Sequence, residues 1–232
     1  METIKIGAVT CIVRRSKRRT VGFKVGTDAM PIIFSPAKMS LDRLTKICLP
    51  YERQIIEMAD RQRELNKRRE SFVLTYGMAV RVLGATRILR AGRGRTVGYD
   101  GEAFYIPAGR DENGIRIAAV KAYKLFAAEY ISKRVLEISR TMGIEAPPVK
   151  INSAKTHWAT CSKAPSLNFS WYTVMASPEA VDYIIIHELC HLKYFNHSDK
   201  FWAEVNKYCT DYKRHKVYLK NLWQEIAREK WD

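Results

Sequence analysis

The chain has 232 residues, of which 40 are basic and 24 acidic, for a formal net charge of +16. An apolar fraction of 47% is that of a globular protein with a sizeable core; no stretch nears the roughly 20 apolar residues of a membrane span, and the opening Met1-Glu2-Thr3-Ile4-Lys5 lacks the basic end and apolar run of a secretory signal. Five scattered cysteines form no C-x-x-C pair, so a zinc ribbon is not indicated and a cytoplasmic protein with reduced thiols is expected, its positive field suited to polyanions such as nucleic acid or nucleotides.

Residues 3–13 and 20–25 alternate in the manner of strands, and 32–34 read as a short third. Between the first two, Arg14-Arg15-Ser16-Lys17-Arg18-Arg19 is either a solvated hairpin tip or a phosphate-binding patch. Ser40 caps a helical stretch that Pro50 interrupts, and 51–69 continue as a charged amphipathic helix. Further short strands are expected at 72–76, 79–83, 86–90, 96–99 and 103–106, punctuated by glycines. Gly92-Arg93-Gly94-Arg95 is too short for a phosphate loop and reads as a hairpin turn. No internal repeat is evident.

Asp111-Glu112-Asn113-Gly114 suggests a boundary, dividing the chain into a β-rich region with a charged helix (1–114) and a second domain (115–232). The second opens with a long helix over about 115–142, whose buried side is read as Ile117, Val120, Tyr123, Leu125, Phe126, Tyr130, Ile131, Val135 and Ile138, and which Gly143 stops. Three strands are plausible at 149–153, 157–161 and 167–174, then a helix, then helical stretches at 201–209 and 213–230. The fold class is α+β.

The helix after 177 carries the chemistry. Ser177-Pro178-Glu179 is a helix start, with a serine cap, a proline in the first turn and an acid near the positive end of the dipole. Val181, Ile184, Ile185, Leu189 and Leu192 make an apolar stripe, leaving His187 and His191 to face a cleft. Residues four apart share a helix face, so both imidazoles of His187-Glu188-Leu189-Cys190-His191 can reach one metal ion, with Glu188 placed to take a proton from a water on that ion. A catalytic zinc needs three protein ligands and an open position. Asn196 can turn the chain in the left-handed conformation and bring back His197 as the third ligand, with Ser198 capping the next helix. Glu204 on that helix is the alternative third ligand. Tyr194 stands where a metzincin has glycine, and no methionine follows His187, so no Met-turn can form.

The run Asp182 to Leu192, with Asn196-His197-Ser198 and Phe201-Trp202, resembles the YgjP-like zinc metallopeptidase family, itself similar to the SprT-like and WLM zincins. Upstream, His157-Trp158-Ala159-Thr160-Cys161 and Asn168-Phe169-Ser170-Trp171 stand where that family has R-W-G-S-C and N-x-x-L; Trp158, Cys161 and Asn168 match. The resemblance implies a zincin-like core with a metal-binding HExxH helix, Zn²⁺, and a peptide or protein substrate. It also implies that the strand from about 167 pairs with an extended substrate, lined by Asn168 and Trp171.

Two reaction classes stay open. One is peptide hydrolysis, acting on proteins held near nucleic acid, which would use the charge. The other is hydrolysis of a nucleotide or phosphoanhydride at the same site. A donor for the developing oxyanion could come from His157, Tyr172, Tyr194, Tyr212 or His215.

Overall fold

The computed structural model describes residues 1–162 and 166–231. The described residues form two compact units, Met1–Phe72 with Ala227–Lys230, and Val73–Ile226 with Trp231.

The first unit is built on strands β1 (Thr3–Ile6), β2 (Val9–Ser16), β3 (Gly22–Val25) and β4 (Pro31–Pro36), in the order β1-β2-β4-β3. The β1–β2 hairpin turns at Gly7, whose φ of 56° favours glycine. There the Glu52 carboxylate accepts from the Ala8 N–H at 2.7 Å and fills the space a Cβ at Gly7 would need. Alternation sends Ile4, Ile6, Cys11, Val13 and Ile33 to one face, where they pack with Leu44, Cys48 and Ile55. Those last three come from α1 (Leu41–Cys48), whose N-cap Ser40 accepts from Arg43 N–H, and α2 (Glu52–Glu70). Pro50 separates them as expected, in a 3-10 turn over Leu49–Tyr51.

The second unit opens with β5 (Ala79–Val82), β6 (Ala85–Gly92), β7 (Gly98–Tyr99) and β8 (Ala103–Pro107), in the order β5-β6-β8-β7. This is the wiring of the first sheet again: an antiparallel hairpin, a parallel central pair, and an antiparallel edge. Thr3 and Ala79, Val9 and Ala85, and Gly22 and Gly98 open corresponding strands at a constant offset. At that offset Arg19-Thr20-Val21-Gly22-Phe23 falls on Arg95-Thr96-Val97-Gly98-Tyr99. Each sheet runs into a helix capped by a polar side chain, Ser40 or Asp111. The chain therefore does contain an internal repeat, against the sequence expectation. The strand expected at 72–76 is absent; that segment is an irregular connection into Gly77.

Asp111-Glu112-Asn113-Gly114 lies inside this unit as the entry to α3 (Glu112–Met142), with Asp111 Oδ1 accepting from Gly114 N–H at 2.8 Å. Gly143 ends the helix in the left-handed conformation, φ 67°. Its buried face runs through Ile115, Ala119, Ala122, Tyr123, Ala127, Ile131, Val135 and Ile138, while Ile117 and Leu125, expected inside, are exposed. The alanines, which carry little hydropathy signal, let neighbouring elements approach closely, and they set the stripe.

A three-stranded sheet follows: β9 (Val149–Asn152), β10 (Ala159–Cys161) and β11 (Leu167–Ser170), in the order β10-β11-β9. The strand expected to run to 174 stops at Ser170 and becomes a 3-10 turn, Trp171–Met175, leading to α4 (Pro178–Cys190), α5 (Asp199–Tyr208) and α6 (Tyr212–Ile226). Helix α3 backs α4, and Arg134 clamps Asp182 with Nε–Oδ1 and Nη2–Oδ2 bonds of 2.9 and 2.7 Å. Among the described residues no helix is long and apolar enough to cross a membrane.

Candidate active site

Helix α4 starts as its sequence requires, with Pro178 in the first turn and the Ser177 hydroxyl accepting from Ala180 N–H. One turn from its end His187 and His191 project together, their Nε2 atoms 3.2 Å apart. The helix stops in a tight turn in which Lys193 and Tyr194 N–H both reach the Cys190 carbonyl. Asn196 does not take the left-handed conformation expected of it, and Ser198 holds the N-cap position of α5 without a side-chain bond. The chain nevertheless returns His197, whose Nε2 lies 3.1 Å from that of His187. Glu204 stands apart, facing Lys193 across 3.8 Å.

Phe201, fully buried in the first turns of α5, is the floor under all three rings. His191 stacks on it at 4.5 Å between centroids, and His187 and His197 meet it edge-on at 4.9 Å each. Trp202 stacks on His197, and Tyr212 stacks on Trp202. Sequence reading took Phe201-Trp202 as family markers and missed this supporting role. Its signal was two aromatics placed directly after the third histidine.

The electrostatics suit metal binding. Burial, reinforced by the neighbouring His191, His197 and Lys216, drops the His187 pKa to about 3, so its ring is neutral with a lone pair to give. Burial also lowers the pKa of His197. His191 Nδ1 lies 2.9 Å from the Tyr194 carbonyl, which puts the proton on Nδ1 and leaves Nε2 as the donor atom. Two ligands about 2.0–2.1 Å from a tetrahedral ion lie about 3.3 Å apart, so the 3.1 and 3.2 Å separations fit one ion. His187, His191 and His197 offer ligand atoms that all lie within 4.8 Å of one another.

Glu188, only 7% exposed, is raised to about 7 by burial, with the Cys161 backbone N–H pulling the other way. The cleft in front of it, about 360 Å³, is walled by Ala159, Thr160 and Cys161 of β10 on one side and by the three histidines and Phe195 on the other.

The substrate residues named from resemblance fare differently. Strand β11 is the middle of its sheet, flanked by β10 and β9, so it has no edge left for a peptide; the edge strand beside the histidines is β10. Asn168 is paired within that sheet, opposite Thr160 and Lys150. Trp171 is 1% exposed, packed among Tyr123, Tyr172 and Trp231, and belongs to the core instead of the cleft. An apolar residue just past a strand end can serve either role, and the 3-10 turn rotates this one inward. Of the suggested oxyanion donors, His157 lines a cleft with His187 and Glu188. Tyr172 packs on Trp171 and Trp223, Tyr212 stacks on Trp202, Tyr194 lies under the Lys193 ammonium, and His215 is buried against Tyr183 and bonded to Asp211.

Residues 19–222 match the YgjP-like metallopeptidase domain. Among solved structures, the metallopeptidase zymogen jannalysin of Methanocaldococcus jannaschii is similar at 32% identity over 41% of this chain and 97% of its own, with a TM-score of 0.36. The zymogen abylysin of Pyrococcus abyssi is similar at 27% identity over 43% and 98%, with a TM-score of 0.37. No curated protein matches the chain.

Proposed function

The chain belongs to the YgjP-like metallopeptidase family and is a metal-dependent peptide hydrolase, and on that premise we propose that the metal is zinc, held by His187, His191 and His197, with Glu188 as general base. The observation that carries this reading is the convergence of three imidazole Nε2 atoms beside a buried carboxylate in an open cleft. Bound there, zinc supplies Lewis-acid chemistry, acidifying water and polarising a carbonyl.

The chain's own groups do the rest. Glu188 takes the proton of the attacking water and delivers it to the leaving amine. The Cys161 backbone N–H, which lowers the Glu188 pKa, favours the charged carboxylate. The free edge of β10 pairs with an extended substrate backbone, holding the scissile carbonyl over Glu188. His157, which shares a cleft with His187 and Glu188, is the best-placed candidate to donate to the developing oxyanion.

The family favours peptide over nucleotide or phosphoanhydride hydrolysis. Association with nucleic acid rests on the net charge of +16 alone. Five free cysteines support a reducing, cytoplasmic setting. The test is to assay metal-stripped and zinc-reloaded protein on unfolded proteins, with and without DNA, and on nucleoside triphosphates. Zinc-dependent cleavage of protein supports the reading, and zinc-dependent triphosphate hydrolysis without proteolysis overturns it.

A further inference from the structure

A second cleft, about 340 Å³, shares Ala159, His187 and Glu188 with the first. The two meet at the general base, so a peptide with its scissile bond there extends residues into both. The second has apolar walls, Trp158, Ile184 and Leu219, and a basic rim, Lys216 and Lys220, and His157 also lines it. Glu188 is the one acid in its lining.

Lys216 and Lys220 stand one turn apart on α6, where like charges repel. Neither has an ion-pair partner among the described residues, although elsewhere on the surface Arg53, Arg63 and Arg68 pair with acids on their own helix. Lys216 is held against the cleft by the Trp202 ring, 4.4 Å away, and that ring stacks on His197. An anion between the two ammonium groups would relieve their repulsion, and the apolar walls would cover the carbon chain that bears it.

We propose that this cleft is a substrate subsite that selects a carboxylate, with Lys216 and Lys220 as its specificity-determining residues. The proposal rests on the peptidase reading for what the carboxylate is attached to. It admits two sources, an acidic side chain near the scissile bond or a free carboxy-terminus.

The test separates them. Three fluorescent peptides of one neutral sequence are compared: one amidated, one amidated with a glutamate substituted beside the scissile bond, and one with a free carboxy-terminus. Binding is followed by anisotropy to the zinc-loaded full chain carrying Glu188→Gln. At least one carboxylate peptide is expected to bind roughly fivefold more tightly than the neutral one, the upper end for an exposed ion pair, and which one does identifies the source. Lys220→Gln should remove that preference, Lys220→Glu should reverse it, and added salt should weaken it. Equal affinity for all three, binding of none, or a preference that survives Lys220→Glu overturns the proposal. If the preference stands but the chain with Glu188 intact cleaves no peptide, the peptidase reading fails and the carboxylate subsite remains.

Discussion

The Glu188 carboxylate lies close enough to the backbone N–H of Cys161 for that group to lower its pKa, against the burial that raises it to about 7. That approach sets the edge strand β10 beside the turn of α4 that carries Glu188, so the wall proposed to hold a substrate and the proposed base line one cleft. Since the donor is main chain, the thiol should be dispensable. Cys161→Ala should keep kcat/KM within about twofold, whereas Cys161→Pro, which lacks the N–H, should lower it by roughly tenfold or more, the worth of one hydrogen bond to a charged group. Steady-state peptide hydrolysis checks both, and a large loss in Cys161→Ala would mean the sulfur itself matters.

His197 is the exposed member of the histidine cluster and the one supplied from outside α4. His197→Ala should weaken zinc binding by more than the roughly 10–100-fold typical of a lost outer partner. Glu204→Ala should leave it near the parent value. Competition against a chromophoric chelator measures both; the opposite ranking would make Glu204 the third ligand.

Trp171 should act through stability. Removing its ring from the aromatic cluster with Tyr123, Tyr172 and Trp231 in Trp171→Ala should cost about 3–5 kcal/mol. Urea unfolding gives the value. A change below roughly 1 kcal/mol would show a site that is not tightly packed.

Asp100 gives a pH signature of stability. Its Oδ1 accepts from Ala103 N–H at 2.8 Å and Glu102 N–H at 2.9 Å, and those bonds hold its carboxyl at about 2. The folded value lies below the unfolded one, near 3.9, so the contribution is fully present above pH 4 and is lost as pH falls toward 2. The urea midpoints of the parent and Asp100→Asn should differ at pH 5 and converge on acidification. A gap that stays constant with pH would contradict this.

What could be read in advance follows from how local each feature is. His187, Glu188 and His191 were legible because four-residue spacing on a capped helix leaves one geometry. His197 was legible because the chain must turn within a few residues to start a helix at Asp199. The role of β10 was not, because strand order is a long-range property: β11 carries the stronger apolar signal by being central, which is what disqualifies it as an edge. Asp111 to Gly114 looked like a linker because a helix cap and a linker use the same polar and glycine residues. The repeated sheet escaped notice because its turns diverge, Gly7-Ala8 against Leu83-Gly84, while the shared Arg-Thr-Val-Gly run is too short to stand out without the strand register around it.

The central claim, that Glu188 is the base of a zinc peptidase, is tested most directly by comparing the parent chain with Glu188→Gln, each loaded with one zinc, on an unfolded protein substrate. The account predicts equal zinc content and a loss of cleavage of about 10²–10⁴-fold in the variant. Cleavage at the parent rate by a Glu188→Gln chain that holds its zinc would contradict it.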